Sequence, residues 1–444
     1  MRRKNPLARD PRELSRETLS NGLTVYLQPS PPGTVTLSAS WLTLGGSARD
    51  PDGQEGAATA LAALLRAGTT RLDKREFART LDENASTFRA AADWEGFHAQ
   101  VGGPMDAEER ILGLLAQAVE GPRLETVEIE RVLRQHREAL LRQRSEPEEL
   151  AERTLVENVF PVGHPYHRDP LGTETSLGNL SQASLSDFHR RFLLPSDAKL
   201  VVTSATPERR LLSLLERTFG VLSLGPGLGP LNFPDRLPPA PRKWIYRPIP
   251  GTAQVEVLLG RATPARSDPS FPALYLLNEV LGGRPVISRL FQRVRERHGF
   301  AYDAGSSLES FQGGGLFVAE AGTDLRHARV VEKMLRKECA SLAEHRIPRS
   351  ELDGIRESLL GSQPLLWESA RQAHGLAAEV ALFDLPLDHP LTWPSVLRGL
   401  SPNELREVAE RHLLAPGPPW VVASGPPPRR GGPPPRGVVD RAPP

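Results

Sequence analysis

Apolar positions recur along this chain with two different periods. Leu23-Thr-Val-Tyr-Leu27 and Val35-Thr-Leu-Ser-Ala-Ser-Trp-Leu42 are short runs rich in β-branched and aromatic residues, and they predict strands near the N-terminus. From about Ala58 to Phe160 the pattern is predominantly helical, and Ala57–Leu65 reads as an Ala/Leu core helix of high intrinsic propensity. Ala253-Gln-Val-Glu-Val-Leu-Leu259 predicts a strand that opens a second half. Val286, Ile287, Leu290, Phe291 and Val294 then recur at three and four residues, which predicts a helix ending near Gly299. Phe300-Ala-Tyr302 enters a strand after it. Gln312-Gly-Gly-Gly-Leu-Phe317 lies between strand-like runs and lacks the Lys-Ser/Thr of a phosphate loop, so it reads as a hairpin or bulge.

The pattern repeats itself. Residues 180–205 (LSQASLSDFHRRFLLPSDAKLVVTSA) and 400–425 (LSPNELREVAERHLLAPGPPWVVASG) align without a gap, sharing Leu, Ser, Leu, Arg, Leu-Leu, Val-Val and Ser in phase. Each predicts a capped helix, a turn and a short apolar strand, so two similar domains in tandem are expected. Between them, residues 224–242 are rich in Pro and Gly, which cannot continue a helix or a central strand, and predict an extended linker. The expected organisation is an N-terminal extension (1–17), a first domain (18–223), the linker (224–242), a second domain (243–425) and a tail (426–444). That tail, PPPRRGGPPPRGVVDRAPP, has too little apolar content to fold and is expected to be disordered.

Composition adds mainly exclusions. At 444 residues, 39% hydrophobic and 25% charged, the chain has the make-up of a globular protein of two or more domains. A formal net charge of +1 gives no electrostatic reason to expect a nucleic-acid or membrane partner. The single cysteine, Cys339, excludes an internal disulfide. The basic start is not followed by an apolar segment, and no stretch approaches the roughly 18 apolar residues of a spanning helix, so a cytoplasmic location is expected.

Two segments carry a resemblance. Gly56-Ala-Ala-Thr-Ala-Leu-Ala-Ala-Leu-Leu-Arg-Ala-Gly68-Thr69 and Leu281-Gly-Gly-Arg-Pro-Val-Ile-Ser-Arg-Leu-Phe-Gln-Arg-Val-Arg-Glu-Arg-His-Gly-Phe-Ala-Tyr302 resemble segments of the insulinase/pitrilysin family of zinc peptidases, in its processing-peptidase-like branch. Leu19-Ser-Asn-Gly-Leu-Thr-Val-Tyr26 and Gly163-His-Pro-Tyr-His-Arg-Asp-Pro-Leu-Gly-Thr-Glu174 extend the likeness, which covers roughly residues 18–425. The resemblance implies an α+β fold of two tandem homologous domains. Each would be a mostly antiparallel sheet covered by helices on one side, together forming a processing-peptidase-like half-clamshell.

In that family the first segment carries H-x-x-E-H, two imidazoles one helical turn apart with a carboxylate as general base. Here those positions fall on Thr59, Ala62 and Ala63, and the third ligand falls on Ala139 or Leu140. A threonine hydroxyl is at best a weak neutral ligand, and alanine offers no donor atom. Glu138 is adjacent, but one residue of helical offset turns it about 100° away. No metal is therefore expected in this chain, and zinc is expected in a partner subunit.

Arg295 and Tyr302, seven residues apart, match a pair that the resemblance implies holds the substrate carbonyl and its developing oxyanion. From the residues alone they read as a surface cation and a core aromatic. By the same resemblance Gly282 and Gly283 occupy the place of a glycine-rich substrate loop, here short and ended by Arg284-Pro285; alone they read as a turn before a helix. His164 and His167 have H-x-x-H spacing, but Pro165 between them opposes a regular helix. G-x-S-x-G is absent and Cys339 lies in a charged helical context, so neither a serine nor a cysteine hydrolase is expected.

The expected function is the zinc-free subunit of a heterodimeric metallopeptidase. Its partner would be a zinc-bearing homologous subunit, and its substrate a peptide held in extended form. A catalytically inactive scaffold or peptide-binding member is the alternative; a lone peptidase with a relocated metal would need ligands that the sequence does not offer.

Overall fold

The computed structural model describes residues 10, 12–234, 237, 239–240, 244–414, 417–427 and the backbone of 438–440. In chain order its first elements are β1 (Ser15–Thr18), β2 (Thr24–Pro29), β3 (Thr36–Thr43), α1 (Ala57–Leu64), α2 (Lys74–Glu83), β4 (Thr87–Ala92), β5 (Phe97–Pro104) and α3 (Glu108–Glu120). There follow α4 (Thr126–Ser145), α5 (Pro147–Val159), α6 (Glu174–Asn179), α7 (Gln182–Phe192), β6 (Lys199–Ser204) and α8 (Glu208–Thr218). The later part contains β7 (Trp244–Pro248), β8 (Gln254–Thr263), α9 (Phe271–Asn278), β9 (Ala301–Ser310), β10 (Gly315–Asp324), α10 (Ala328–Glu344) and α11 (Arg349–Ser362). It closes with α12 (Ala370–Leu382), α13 (His389–Gly399), α14 (Pro402–Ala409), β11 (Trp420–Gly425) and β12 (Val438–Asp440).

These elements make two six-stranded sheets whose topology matches over five strands; the outer strand differs, β1 being antiparallel to β2 and β12 parallel to β7. The first has the order β1-β2-β6-β3-β5-β4 and the second β12-β7-β11-β8-β10-β9. In each, one strand of the sequence repeat lies parallel to an early strand, β6 on β2 and β11 on β7, and antiparallel to the next, β3 or β8. The repeat is visible in the helices too. Ser181 with Ser184 and Ser401 with Glu404 form capping boxes at the starts of α7 and α14, each satisfying two amides that would otherwise lack partners.

The sheets follow the two halves of the sequence, but the compact units do not. One unit contains residues up to Glu138, Arg168–Leu231 and Ser362–Trp393; the other contains Ala139–His167, Asn232–Gly361 and the chain from Pro394. Thus α12, late in sequence, packs on β6, β3 and β2 of the first sheet, while α5, from the early half, packs on β11 and β8 of the second. In α12 the residues Ala370, Ala373, His374, Ala377, Val380 and Ala381 are buried on one helical stripe. Of these, Ala377, Val380 and Ala381 join Leu14, Tyr26, Leu42 and Val201 in a core cluster. α5 buries Leu150, Ala151, Thr154, Leu155, Val156 and Val159.

Within each unit the exchanged helix adds cover to the face opposite the unit's own helices. Trp41 Nε1 donates to Leu193 O at 2.8 Å, at the end of α7, whereas Ser40, next in the strand, contacts His374 of α12. In the second unit Arg261 donates to His412 O and Gly417 O, beyond α14, whereas neighbouring Gly260 lies against Leu155 of α5.

Three local expectations are corrected. The stretch read as predominantly helical contains the β4–β5 hairpin, in which Phe97, Ala99 and Val101 alternate inward with half-exposed neighbours; its alanines mask the period of two. The helix expected from Val286 starts later, because Val286 takes a left-handed φ of 72° after Pro285 and leaves Val286 and Ile287 exposed. Leu290 and Val294 are buried as the spacing predicts, and the helix ends at Gly299. The tail falls mostly outside the described residues, but Val438–Asp440 is a three-residue strand parallel to β7.

Candidate functional site

α1 keeps the frame of a metal-binding helix. Asp50 accepts hydrogen bonds from Gly56 N at 2.7 Å and Ala58 N at 2.9 Å, which holds the helix N-terminus; Arg168 in turn donates to Asp50 O and Asp52. Burial pushes the Asp50 carboxyl up to about 7, against the pull of those two amides. Gly56 has φ 96°, and a Cβ there would lie 2.8 Å from Leu171 O, so the turn into α1 requires glycine.

The positions where chemistry would sit do not fit zinc. Thr59 directs its hydroxyl at Pro170 O, 2.6 Å away, and Gly56 O at 3.1 Å. Ala62 is buried and Ala63 partly so, and neither has a donor atom. Farther along, Ala139 is half-buried, Leu140 is core and Glu138 is exposed. Among the described residues no group of three or more His, Cys, Asp and Glu side chains could hold a metal ion. His164 and His167 are occupied separately: His164 Nδ1 accepts from Tyr166 N, and His167 Nδ1 is 2.8 Å from Phe160 O. Burial among Phe160, Tyr166 and Phe233 lowers the His164 pKa to about 4.

Arg295 and Tyr302 belong to one unit, either side of the Gly299 turn. Arg295 sits on the π-helical segment Phe291–Arg297, its guanidinium 4.7 Å from the Phe291 ring centre. Tyr302 is the second residue of β9 and is 60% exposed. Neither side chain has a hydrogen bond or ion pair among the described residues, and β9 pairs only with β10 there, leaving its other edge open. Gly282 is packed tightly: a Cβ would lie 2.2 Å from Ser306 N, on β9. At Gly283 a Cβ would lie 2.7 Å from Asn278 Nδ2 and Glu279 Oε1. Both glycines permit a close approach of backbone to neighbouring groups.

Two groupings were not legible in the sequence. On the face of the second sheet that carries α5, Glu256 of β8 and Glu320 of β10 lie near Glu152 and Glu148 of α5 and Asp303 of β9. Burial, then repulsion within the group, raises Glu152 to about 7 and Glu256 to about 8, and raises Glu320 as well. In the first unit His136 is buried with an unbonded Nδ1; burial lowers its pKa while Asp169 opposes the shift. Buried Cys339 is raised to about 12, which keeps it a thiol.

Comparison with known proteins agrees with this picture. Residues 25–168 match the description "Insulinase (Peptidase family M16)" and residues 179–359 "Peptidase M16 inactive domain". An uncharacterized zinc protease of Mycobacterium leprae (strain TN) is 29% identical over 78% of this chain and 77% of that protein. The "non-peptidase homolog YmxG" of Helicobacter pylori is 23% identical over 83% of this chain and 84% of its own length. The crystal structure described as the peptidase M16 inactive domain from Pseudomonas fluorescens superposes with TM-score 0.86 at 20% identity, covering 93% of this chain and 98% of that one. A protease from Helicobacter pylori gives 0.84 at 21%, covering 93% and 100%. No helix among the described residues is long and apolar enough to cross a membrane. Two sheets that share a five-strand topology, a first helix emptied of its ligands and two family descriptions that together span most of the sequence lead to one assignment: the chain belongs to the insulinase (M16) family of peptidases.

Proposed function

We propose that this chain is the zinc-free subunit of a two-chain metallopeptidase, with a zinc-bearing homologous subunit as its partner and a peptide as substrate. The observation that carries the reading is the pair of exposed, unpartnered donors, Arg295 and Tyr302, beside the open edge of β9. Guanidinium is always charged and phenol is a neutral donor at pH 7, so together they suit a carbonyl and its developing oxyanion. An extended peptide would add to β9 by main-chain hydrogen bonds and bring its carbonyls to those donors. Gly282 and Gly283 would serve this site by holding the preceding segment against β9. Zinc and the activated water would come from the partner, and the pair would work in the cytoplasm.

A native pull-down tests the first half of this reading. Stoichiometric recovery of a similar-sized chain carrying H-x-x-E-H is expected; recovery of this chain alone contradicts it. In the assembled complex Arg295→Ala should lower turnover by about 100-fold, in line with loss of one oxyanion donor, with assembly unchanged. Wild-type turnover in that variant removes Arg295 from the reaction.

A second reading has its own support in the inactive-domain match over 179–359 and in the name of the Helicobacter pylori homologue. On that reading the chain binds peptide or scaffolds an assembly without assisting catalysis. Tyr302→Phe together with Arg295→Ala would then leave every activity of the complex unaltered.

A further inference from the structure

α12 is fastened to the first sheet by one buried polar side chain. His374 lies in the apolar stripe of the helix, 1% exposed, and the small neighbours Ala370, Ala373 and Ala377 let it reach the strands. Its Nε2 is 2.6 Å from Ser40 Oγ on β3, and its Nδ1 is 3.0 Å from Thr203 Oγ1 on β6. Thr203 Oγ1 also lies 2.9 Å from the side-chain amide of Gln28 on β2.

That arrangement suits a neutral ring. In either neutral tautomer one nitrogen donates and the other accepts, and the Ser40 and Thr203 hydroxyls can turn to match, since Gln28 can meet Thr203 through either end of its amide. A second proton would make both ring nitrogens donors and leave a buried cation between two neutral hydroxyls. The charge would have no counter-ion. Burial alone depresses the ring, to about 4, and no charged group contributes. The charged and titratable groups around α12 lie elsewhere. Lys199 of β6 is paired with Asp384 beyond the helix end; Arg16 of β1 sits over Tyr26 of β2; Arg371 and Glu379 are on α12 itself.

We propose that His374 is an acid-sensitive latch, holding the segment 362–393 on the first sheet while neutral and releasing it when protonated. In the released segment the ring returns to its ordinary value of 6.5. Protons therefore favour release as pH falls from about 6.5 towards 4, and the latch is fully engaged above that window. From these two values the opening equilibrium rises about 30-fold between pH 7.5 and pH 5.

Hydrogen exchange on the full chain, read by mass spectrometry and corrected for the intrinsic pH dependence, tests this. Amides of 370–382 should lose about 30-fold protection between pH 7.5 and 5, whereas those of H374Q should not, because glutamine can bridge the same hydroxyls and does not titrate. An equal loss in H374Q, or none in the wild type, overturns the latch. Should H374Q fail to fold, the wild-type His374 ring can be followed by NMR. A neutral ring at pH 7 with a midpoint near 4 supports the proposal; a midpoint near 6.5 overturns it.

Discussion

The two sheets share the order of five strands, but the helices that cross to them are held by opposite chemistry. On the first, α12 docks through neutral His374 among hydroxyls. On the second, α5 docks by laying Leu155 on Gly260, beside carboxylates that carry no ion pair among the described residues. β3 and β8 occupy the same place in the strand order, and Ser40 faces α12 much as Gly260 faces α5. Topology has thus been retained through the duplication, while the polar groups under the crossing helix have diverged. The consequence is an opposite pH dependence of the two docking contacts. The contribution of His374 is lost as pH falls, because the unfolded histidine takes up a proton before the folded one, while Asp50 in the same unit, raised to about 7, pulls the other way. Glu256, with a folded value of about 8 against 4.5, stays protonated longer in the folded state. The carboxylates under α5 therefore contribute most at low pH, and that contribution weakens as pH rises through that interval, while His164 in the same unit, lowered to about 4, pulls the other way.

The strongest way to break this contrast is steric. A Cβ on Gly260 would lie 2.4 Å from Leu155 Cδ2, and Leu155 is fully buried with no room to move aside. Gly260→Val should destabilise the second unit by about 3 kcal/mol and expose α5 amides to exchange, with α12 amides unaffected. Next in size is Glu256→Gln. It should stabilise the second unit by about 2 kcal/mol at pH 9, since the residue keeps some solvent and shares its repulsion with neighbours, and by nothing measurable at pH 4.5. Urea titrations at the two pH values, with the α5 amides as probe, give the difference directly. The smallest effect belongs to Lys199, whose ammonium donates to Ala381 O at 2.6 Å and Asp384 at 2.7 Å, capping the C-terminus of α12. Lys199→Met should cost about 1 kcal/mol, and added salt should shrink the gap between variant and wild type.

Much of the fold was legible because it is local. Alternating apolar runs located β2, β3 and β8, and the in-phase repeat located α7–β6 and α14–β11. The loss of metal ligands was legible as well, since Thr59, Ala62 and Ala63 lack the required donors whatever the fold. What escaped depends on pairing across distance. The stripe of α12 shows that one face is buried, but says nothing about which sheet receives it. Glu256 and Glu320 alternate like ordinary outward positions of a strand; only the register that sets Glu320 opposite Leu258, and Gly322 opposite Glu256, brings them onto one face. A net charge of +1 hides that local concentration of one sign. At Val286 the apolar period was real, but one left-handed residue after a proline broke the helix it predicted.

The exchange of α5 and α12 also sets a timetable for synthesis. The last strand of the first sheet, β6, ends at Ser204, whereas the helix that covers it ends at Leu382, almost 180 residues later. At the usual pace of about 5–20 residues per second, the first sheet waits roughly ten to thirty-five seconds with Ser40, Thr203 and its apolar neighbours uncovered. The N-terminal half cannot complete itself while the rest is being made. A chain stopped before α12 would leave the first sheet missing a helix, and a cut between the halves would put each crossing helix on the other fragment from its sheet.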